Sequence, residues 1–435
     1  MYNFIALAIS IVLDNFEEYV NTSGKFSRKS KWDFKDYVHY ILFNHRKTSD
    51  VELGNYIDNA PNLVEITKQA ISKQRIYIKP QVFIDIAKQY LINIHYKNIE
   101  LYKTFKGFRL IAIDGSDFEL PDNKNTREEF KVKKSFIRKN PAQGKFSSAM
   151  DVLNGFILDG IMDDFKKADL SFATKHIDNC KDLVNYKKTI FIFDRGYVSL
   201  ELYTHLLSKN TFFVSRIRKS DYKNERKQLQ SLDGNIKIKT NSQRLKLFKN
   251  KNHKNKYNNE HYLKLRLVTV YLPRNQKEYL LTNLSPNKFT YYDIMKIYGH
   301  RWGIENNYKK MKGKLQIENY TGIKRINIEQ DIYARFLIFN IFCFMKPYST
   351  ELINKNMRKK GNYKKYIVRE STLIGRLIKD IPIMILNNTP EVVRYYLNKI
   401  IHWSLKNPKL DIKNKSTKRK RPLQSKYKHN NKLAY

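Results

Sequence analysis

Two short apolar runs, each ending in an aspartate, constrain this chain more than any other feature of it. RLIAID stops at Asp114 and KTIFIFD at Asp194, with Gly115 after the first and Arg195 and Gly196 after the second. An apolar strand carries charge poorly along its length, so an acid closing such a run belongs at the rim of a sheet, where open α/β sheets bind ligands. Between the two runs, FSSAMDVLNGFILDGIM reads as two strands around Asn154-Gly155, the strongest short hairpin signal, and a helix follows at about 171–185. After Asp194, SLELYTHLLSKN reads as a helix and TFFVSRI as a strand. Strand, hairpin, helix, strand, helix, strand builds a mixed α/β (α+β) sheet with helices crossing it.

The flanks differ in kind. Residues 1–100 carry apolar residues at helical spacing and no strand signal, as in DYVHYILF and PQVFIDIAKQYLINI. There the basic turn Ser72, Lys73, Gln74, Arg75 separates two short helices that fit either a DNA groove or plain helical packing. Residues 101–345 hold the sheet, with 218–288 as a β-rich insertion containing YLKLRLVTVYL and EYLLTNL. One helix is expected from about Thr290 to Leu315. Residues 346–435 read as amphipathic helices and a basic tail, solvated by default and able to hold DNA nonspecifically.

Lys plus Arg number 83 against 41 acids, a formal net charge of +42, which reads as a nucleic-acid footprint. An AT-rich codon bias inflates lysine but does not make acids scarce. The two cysteines, Cys180 and Cys343, exclude a disulfide framework or zinc finger and fit a reducing cytosol. The apolar runs at 4–13 and 336–345 are too short to span a bilayer, so the chain reads as soluble, with no membrane partner.

The chemistry gathers at three places. Taken alone, Asp114-Gly115 serves equally well as a turn, and Asp117 is a further carboxylate nearby. Two neighbouring core strands that both end in acids repel unless a cation lies between them, and an oxygen-lined site suits Mg²⁺ better than zinc. The third place is YGHRWGIENNYKKMKG. At 100° per residue, Tyr298, Arg301, Glu305 and Lys312 fall within about 60° of one another, with Lys309 joining them. An i,i+4 ion pair explains Arg301 and Glu305, but not the Tyr and Lys on the same face.

IDGS around Asp114, FDRGY around Asp194, and Tyr298, Arg301, Glu305 and Lys312 with two, three and six residues between them resemble a DDE transposase of the bacterial insertion-sequence 4 family. The resemblance covers about residues 105–345. It implies an RNase H-like fold with strands inserted between Asp194 and Glu305. It further implies that Asp114, Asp194 and Glu305 bind two divalent ions, Mg²⁺ with Mn²⁺ as a substitute, for in-line displacement at phosphorus. Tyr298, Arg301 and Lys312 would grip phosphates of the transposon end, with Lys309 and Arg195 around them. The implied partners are DNA (terminal inverted repeats and target) and a second copy of the chain in a synaptic complex, in the bacterial cytoplasm at the nucleoid. Some family members stack a flipped base on a tryptophan of the inserted strands. Residues 218–288 contain none, which leaves Tyr222, Phe248, Tyr257 and Tyr262 for such a role. The competing readings are an RNase H-fold nuclease that cuts without joining and an inactive DNA-binding remnant.

Overall fold

The computed structural model describes residues 2–44, 47–60, 63–92, 102–131, 142–227, 229, 231–249, 251–257, 261–273, 276–387 and 389–411. Most of the basic tail foreseen at the C-terminus lies outside them.

The N-terminal region is helical, as its periodicity predicts: α1 (Tyr2–Leu13), α2 (Phe34–Leu42), α3 (Ser49–Asp58), α4 (Lys68–Gln74) and α5 (Gln81–Leu91). Asp33 starts α2 with a reciprocal capping box to Asp36, and Thr67 caps α4 through the Ala70 N–H. Strand β1 (Arg109–Glu119) and the short helix α6 (Lys124–Glu129) follow, then β2 (Gln143–Asp151) and β3 (Ile157–Asp163). Their hairpin turns at Asn154-Gly155, where Gly155 takes a φ of 85° that a side chain would strain. Next come α7 (Leu170–Asn179), β4 (Thr189–Phe193), α8 (Leu200–Ser208) and β5 (Phe212–Ile217).

The insertion contributes α9 (Lys223–Arg226), β6 (Asp233–Lys239), α10 (Ser242–Lys246), α11 (Lys251–Lys256), β7 (Tyr262–Leu272) and β8 (Gln276–Thr282). Two helices, α12 (Tyr291–Gly299) and α13 (Trp302–Gly313), precede the long α14 (Arg325–Lys359), then β9 (Tyr366–Ile367), α15 (Glu370–Leu386), α16 (Pro390–Lys406) and β10 (Lys409–Leu410).

By its contacts the chain forms two compact units. The first comprises Met1–Ile94, Phe118–Gly144 and Lys309–Tyr435 and is essentially helical. Within it, α14 packs on α2, α5 and α15. Of the two readings left open for its turn, Arg75 itself follows the packing one. Its side chain is buried against Asp331 at 3.1 Å and donates to Gln330 at 2.9 Å, so it ties helices together and is withheld from any outside phosphate.

The second unit comprises His95–Asp117 and Lys145–Tyr308. The sheet order is β3-β2-β1-β4-β5-β8-β7-β6. β1, β4 and β5 run parallel, and β2 and β3 form the antiparallel hairpin on the far side of β1. That is the RNase H-like arrangement. The inserted strands do not form a separate body: β8 pairs antiparallel with β5, so β8, β7 and β6 lengthen the same sheet. Ile111, Ala112 and Ile113 of β1 and Ile190 to Phe193 of β4 are fully buried, which accounts for their unbroken apolar runs.

Candidate functional site: carboxylates around one guanidinium

β1 and β4 pair in parallel, with Leu110 opposite Ile190 and Ala112 opposite Ile192. Two residues further along both strands, the same register sets Asp114 level with Asp194. Adjacent strands lie ~4.8 Å apart, so the two carboxyl groups leave the sheet as neighbours. Asp194 ends its strand as foreseen, and the chain turns at Arg195–Tyr197. Asp114 does not end its strand. β1 continues to Glu119, and Asp114 marks the residue where burial gives way to partial exposure. Nor is Gly115 a turn residue. A Cβ there would lie 2.3 Å from Asp169 Oδ1, so glycine makes room for a third carboxylate rather than for a sharp bend.

The expected single helix from Thr290 to Leu315 is broken at His300 and Arg301. Thr290 starts α12 with a capping box to Asp293. At the break the Arg301, Gly303 and Ile304 N–H groups bond to the carbonyls three residues back, at 3.0, 2.9 and 3.1 Å, a tightened turn that joins α12 to α13. Gly303 packs closely on the hairpin, a Cβ there lying 3.2 Å from that of Val152.

This turn aims three side chains into one place. The Tyr298 hydroxyl donates to Asp194 Oδ1 at 3.2 Å. Arg301 is buried, and its guanidinium reaches Asp114 Oδ2 at 3.4 Å with one nitrogen and Glu305 Oε1 at 2.9 Å with the other. Asp114, Asp194 and Glu305, distant in sequence, thus gather around Arg301, which lies between two of them. Among the described residues, no three His, Cys, Asp or Glu side chains are arranged to hold a metal ion. The donor chemistry still suits a hard cation, since every candidate ligand is a carboxylate oxygen.

Burial, with Asp194 and Asp169 adding to it, pushes the Asp114 carboxyl up to about 6, although Arg301 and the Gly115 N–H pull the other way. Burial and Asp194 likewise push the Tyr298 phenol up to about 12.

The remaining foreseen residues are placed differently. Arg195 is exposed in the turn after Asp194, and Lys309 is exposed near the end of α13. Lys312, grouped with the first unit, pairs with Glu318 at 3.0 Å and lies over the Phe118 ring. The turn at 300–301 interrupts the helix expected to carry Tyr298, Arg301, Glu305 and Lys312 on one face, yet Tyr298, Arg301 and Glu305 still meet, the Arg301 guanidinium lying 5.9 Å from the Tyr298 ring and 2.9 Å from Glu305. In the insertion, Phe248 and Tyr257 are buried and Tyr222 is half-buried, whereas Tyr262 is 51% exposed.

Several residues escaped the sequence reading. Arg216 of β5 lies 4.0 Å from Asp194 and 2.7 Å from Glu278, and an arginine inside the apolar run TFFVSRI was the available signal. Asp169 stands at the start of α7 with Oδ1 lacking a hydrogen-bond partner and Lys145 at 3.8 Å. Lys145 also holds Asp117, at 2.8 Å. Behind Asp114, its backbone carbonyl accepts from the Tyr308 hydroxyl at 2.7 Å and Ser147 Oγ at 3.4 Å. Ser147 in turn meets His176 at 3.0 Å, and His176 meets Asp159 at 2.7 Å. All three are buried, so this chain is internal scaffolding for β1, not an exposed nucleophile. Trp302 is 57% exposed, with its ring 4.9 Å from the Arg301 guanidinium carbon.

Fold and site together describe an RNase H-like sheet whose neighbouring parallel strands carry Asp114 within β1 and Asp194 just past the end of β4. The family model of the transposase DDE domain matches residues 106–341, more than half of the chain, and the chain belongs to that family. It is 26% identical over 243 residues to the transposase InsG of insertion sequence element IS4 from Escherichia coli K12, a match spanning 54% of this chain and 51% of that protein. The chain therefore matches about half the length of this curated relative. Among solved structures it is similar to a piggyBac transposase synaptic complex with hairpin DNA, with a TM-score of 0.41 and 12% identity over 95% of this chain and 87% of that one. No described helix is long and apolar enough to cross a membrane.

Proposed function

We propose that this chain is a transposase of the insertion-sequence 4 group that binds the terminal inverted repeats of its element, cleaves DNA there and joins the ends to target DNA. The observation that carries the reading is the parallel register of β1 and β4, which sets Asp114 level with Asp194 while Arg301 draws Glu305 toward Asp114. In this reading Asp114, Asp194 and Glu305 are the ligands of two divalent cations, Mg²⁺ with Mn²⁺ as a substitute. When bound, such ions activate the attacking hydroxyl and neutralise charge on the leaving oxygen.

The chain's own residues set up that chemistry. Arg301 neutralises Asp114 and Glu305 while the site is empty of DNA, and its planar fork also matches phosphate, so releasing the acids frees it for the strand. Tyr298 fixes the orientation of Asp194 by its hydrogen bond, and Arg216 supports the same carboxylate from β5. Arg195, exposed beside Asp194, and Lys309 and Lys312 supply further phosphate contacts in this reading. A synaptic complex of two copies on two ends, in the bacterial cytoplasm, is the working form we infer. Residues 1–100 are proposed to bind the DNA end, 101–345 to carry the chemistry and 346–435 to add a basic surface.

The test is a cleavage and joining assay on a duplex carrying the inverted repeats that flank the gene, with Mg²⁺ or Mn²⁺. The expected products are nicked ends and strand-transfer joints. Nicks without joints would make the protein a nuclease of the same fold, and neither product would make it an inactive DNA binder.

A further inference from the structure

Three lysines of the first unit share one carboxylate. Glu370 opens α15, and its carboxylate accepts from Lys346 at 2.8 Å and from Lys314, with the Lys310 amine at 3.6 Å. Lys310 comes from α13, Lys314 from just past its end and Lys346 from α14, so three segments converge on the start of α15. The side chains are partly open to solvent: 26% for Lys310, 37% for Lys314, 34% for Lys346 and 15% for Glu370. One acid against three amines leaves a local surplus of two positive charges.

A structural ion pair asks for one amine per acid. Two ammonium groups ~5 Å apart repel by roughly 3 kcal/mol at an effective dielectric of 20, so gathering three of them around one carboxylate favours the approach of a further anion. The titration of the cluster agrees. Burial and Lys346 lower the Lys310 amine, and Glu370 only partly offsets them. Burial alone would raise the Glu370 carboxyl, yet Lys314 and Lys346 pull it down to about 2.

We propose that Lys310, Lys314 and Lys346 form a seat for a backbone phosphate of DNA, in which the Glu370 carboxylate holds the place the phosphate takes. A carboxylate and a phosphodiester each carry one negative charge on two exposed oxygens, and ammonium groups on flexible stems can transfer from one to the other. Glu370 keeps the three amines gathered while no strand is bound and competes with any strand that arrives. The inference rests on the reading above that this protein binds DNA.

The experiment measures binding of the full chain to a short duplex of unrelated sequence, titrated with salt, with thermal melting recorded for each variant. Glu370→Gln removes the competitor and should tighten binding about three- to tenfold at low salt. It should exceed Glu391→Gln, an equal charge change at an exposed position of α16. Lys346→Gln should make the slope of log K against log salt shallower by about 0.9, the loss of one phosphate contact. Glu370→Gln that melts normally but binds no tighter than Glu391→Gln would overturn the proposal. Should Glu370→Gln fail to fold, Lys314→Gln and Lys346→Gln decide it, and unchanged salt slopes in both would overturn it. A wild-type chain with no salt-dependent DNA binding would sink the DNA reading itself, whatever the variants do.

Discussion

The two units hold charge clusters of opposite design. In the sheet unit one guanidinium serves Asp114 and Glu305, with Asp194 beside them, so carboxylates outnumber the cation they surround. In the helical unit three ammonium groups surround Glu370, so cations outnumber the acid. Each cluster is ion-paired within the folded chain yet keeps a surplus among its named groups, negative in one and positive in the other. Surplus sign, rather than the count of ion pairs, underlies what we propose for each cluster: divalent cations at the first and phosphates at the second.

The largest expected effect comes from removing the cation of the acidic cluster. Arg301→Met leaves Asp114 and Glu305 facing each other without a counter-charge and should destabilise the chain by about 2–4 kcal/mol in a metal chelator. Added Mg²⁺ should then raise the melting temperature of the variant more than that of the wild type. Equal Mg²⁺ responses in thermal melting would break the comparison at its acidic end.

The Asp114 carboxyl gives the next effect. Its native pKa, about 6, lies above the ordinary 3.8 of the unfolded chain. The native state therefore holds this proton more tightly, and the stability so contributed is complete below about pH 4 and lost as pH rises through about 6. Asp114→Asn should exceed the wild type by up to ~3 kcal/mol at pH 7 without metal, the gap closing toward pH 4. Denaturant melts at the two pH values check this, and a gap that is constant with pH would contradict the burial of Asp114.

Smaller again is the contrast between two glycines. Gly115→Ala must displace the Asp169 carboxylate and should cost about 1–3 kcal/mol, whereas Gly196→Ala meets open space and should change stability by less than ~0.5 kcal/mol. Equal melting temperatures for the two variants would mean that Asp169 does not crowd β1.

The apolar runs ending at Asp114 and Asp194 were legible because period and composition act locally. The hairpin at Asn154-Gly155 was legible for the same reason, and so were the inserted strands Tyr262–Leu272 and Gln276–Thr282. What escaped depended on tertiary choices. Nothing local in YGHRWGIENN requires a break at 300–301, because Gly299 is tolerated inside helices and the tight turn is secured by packing of Gly303 on Val152. Gly115 read as a turn residue because its crowding neighbour, Asp169, lies far along the chain. The turn at Arg75 fitted a DNA groove and helical packing equally well in sequence because the acid that buries its guanidinium, Asp331, comes from α14. Charges reveal their type in sequence, but their partners only in the fold.

The central claim is that the acids level on β1 and β4 perform chemistry on DNA and do not merely cap their strands. Asp194→Asn tests it most directly, since the substitution keeps the shape and removes one charge from the site. With the wild type cleaving a transposon-end duplex in Mg²⁺, the variant should lose cleavage by at least ~10³-fold while binding the same duplex at unchanged or slightly higher affinity. A variant that folds, binds and still nicks the end at the wild-type rate would contradict the account.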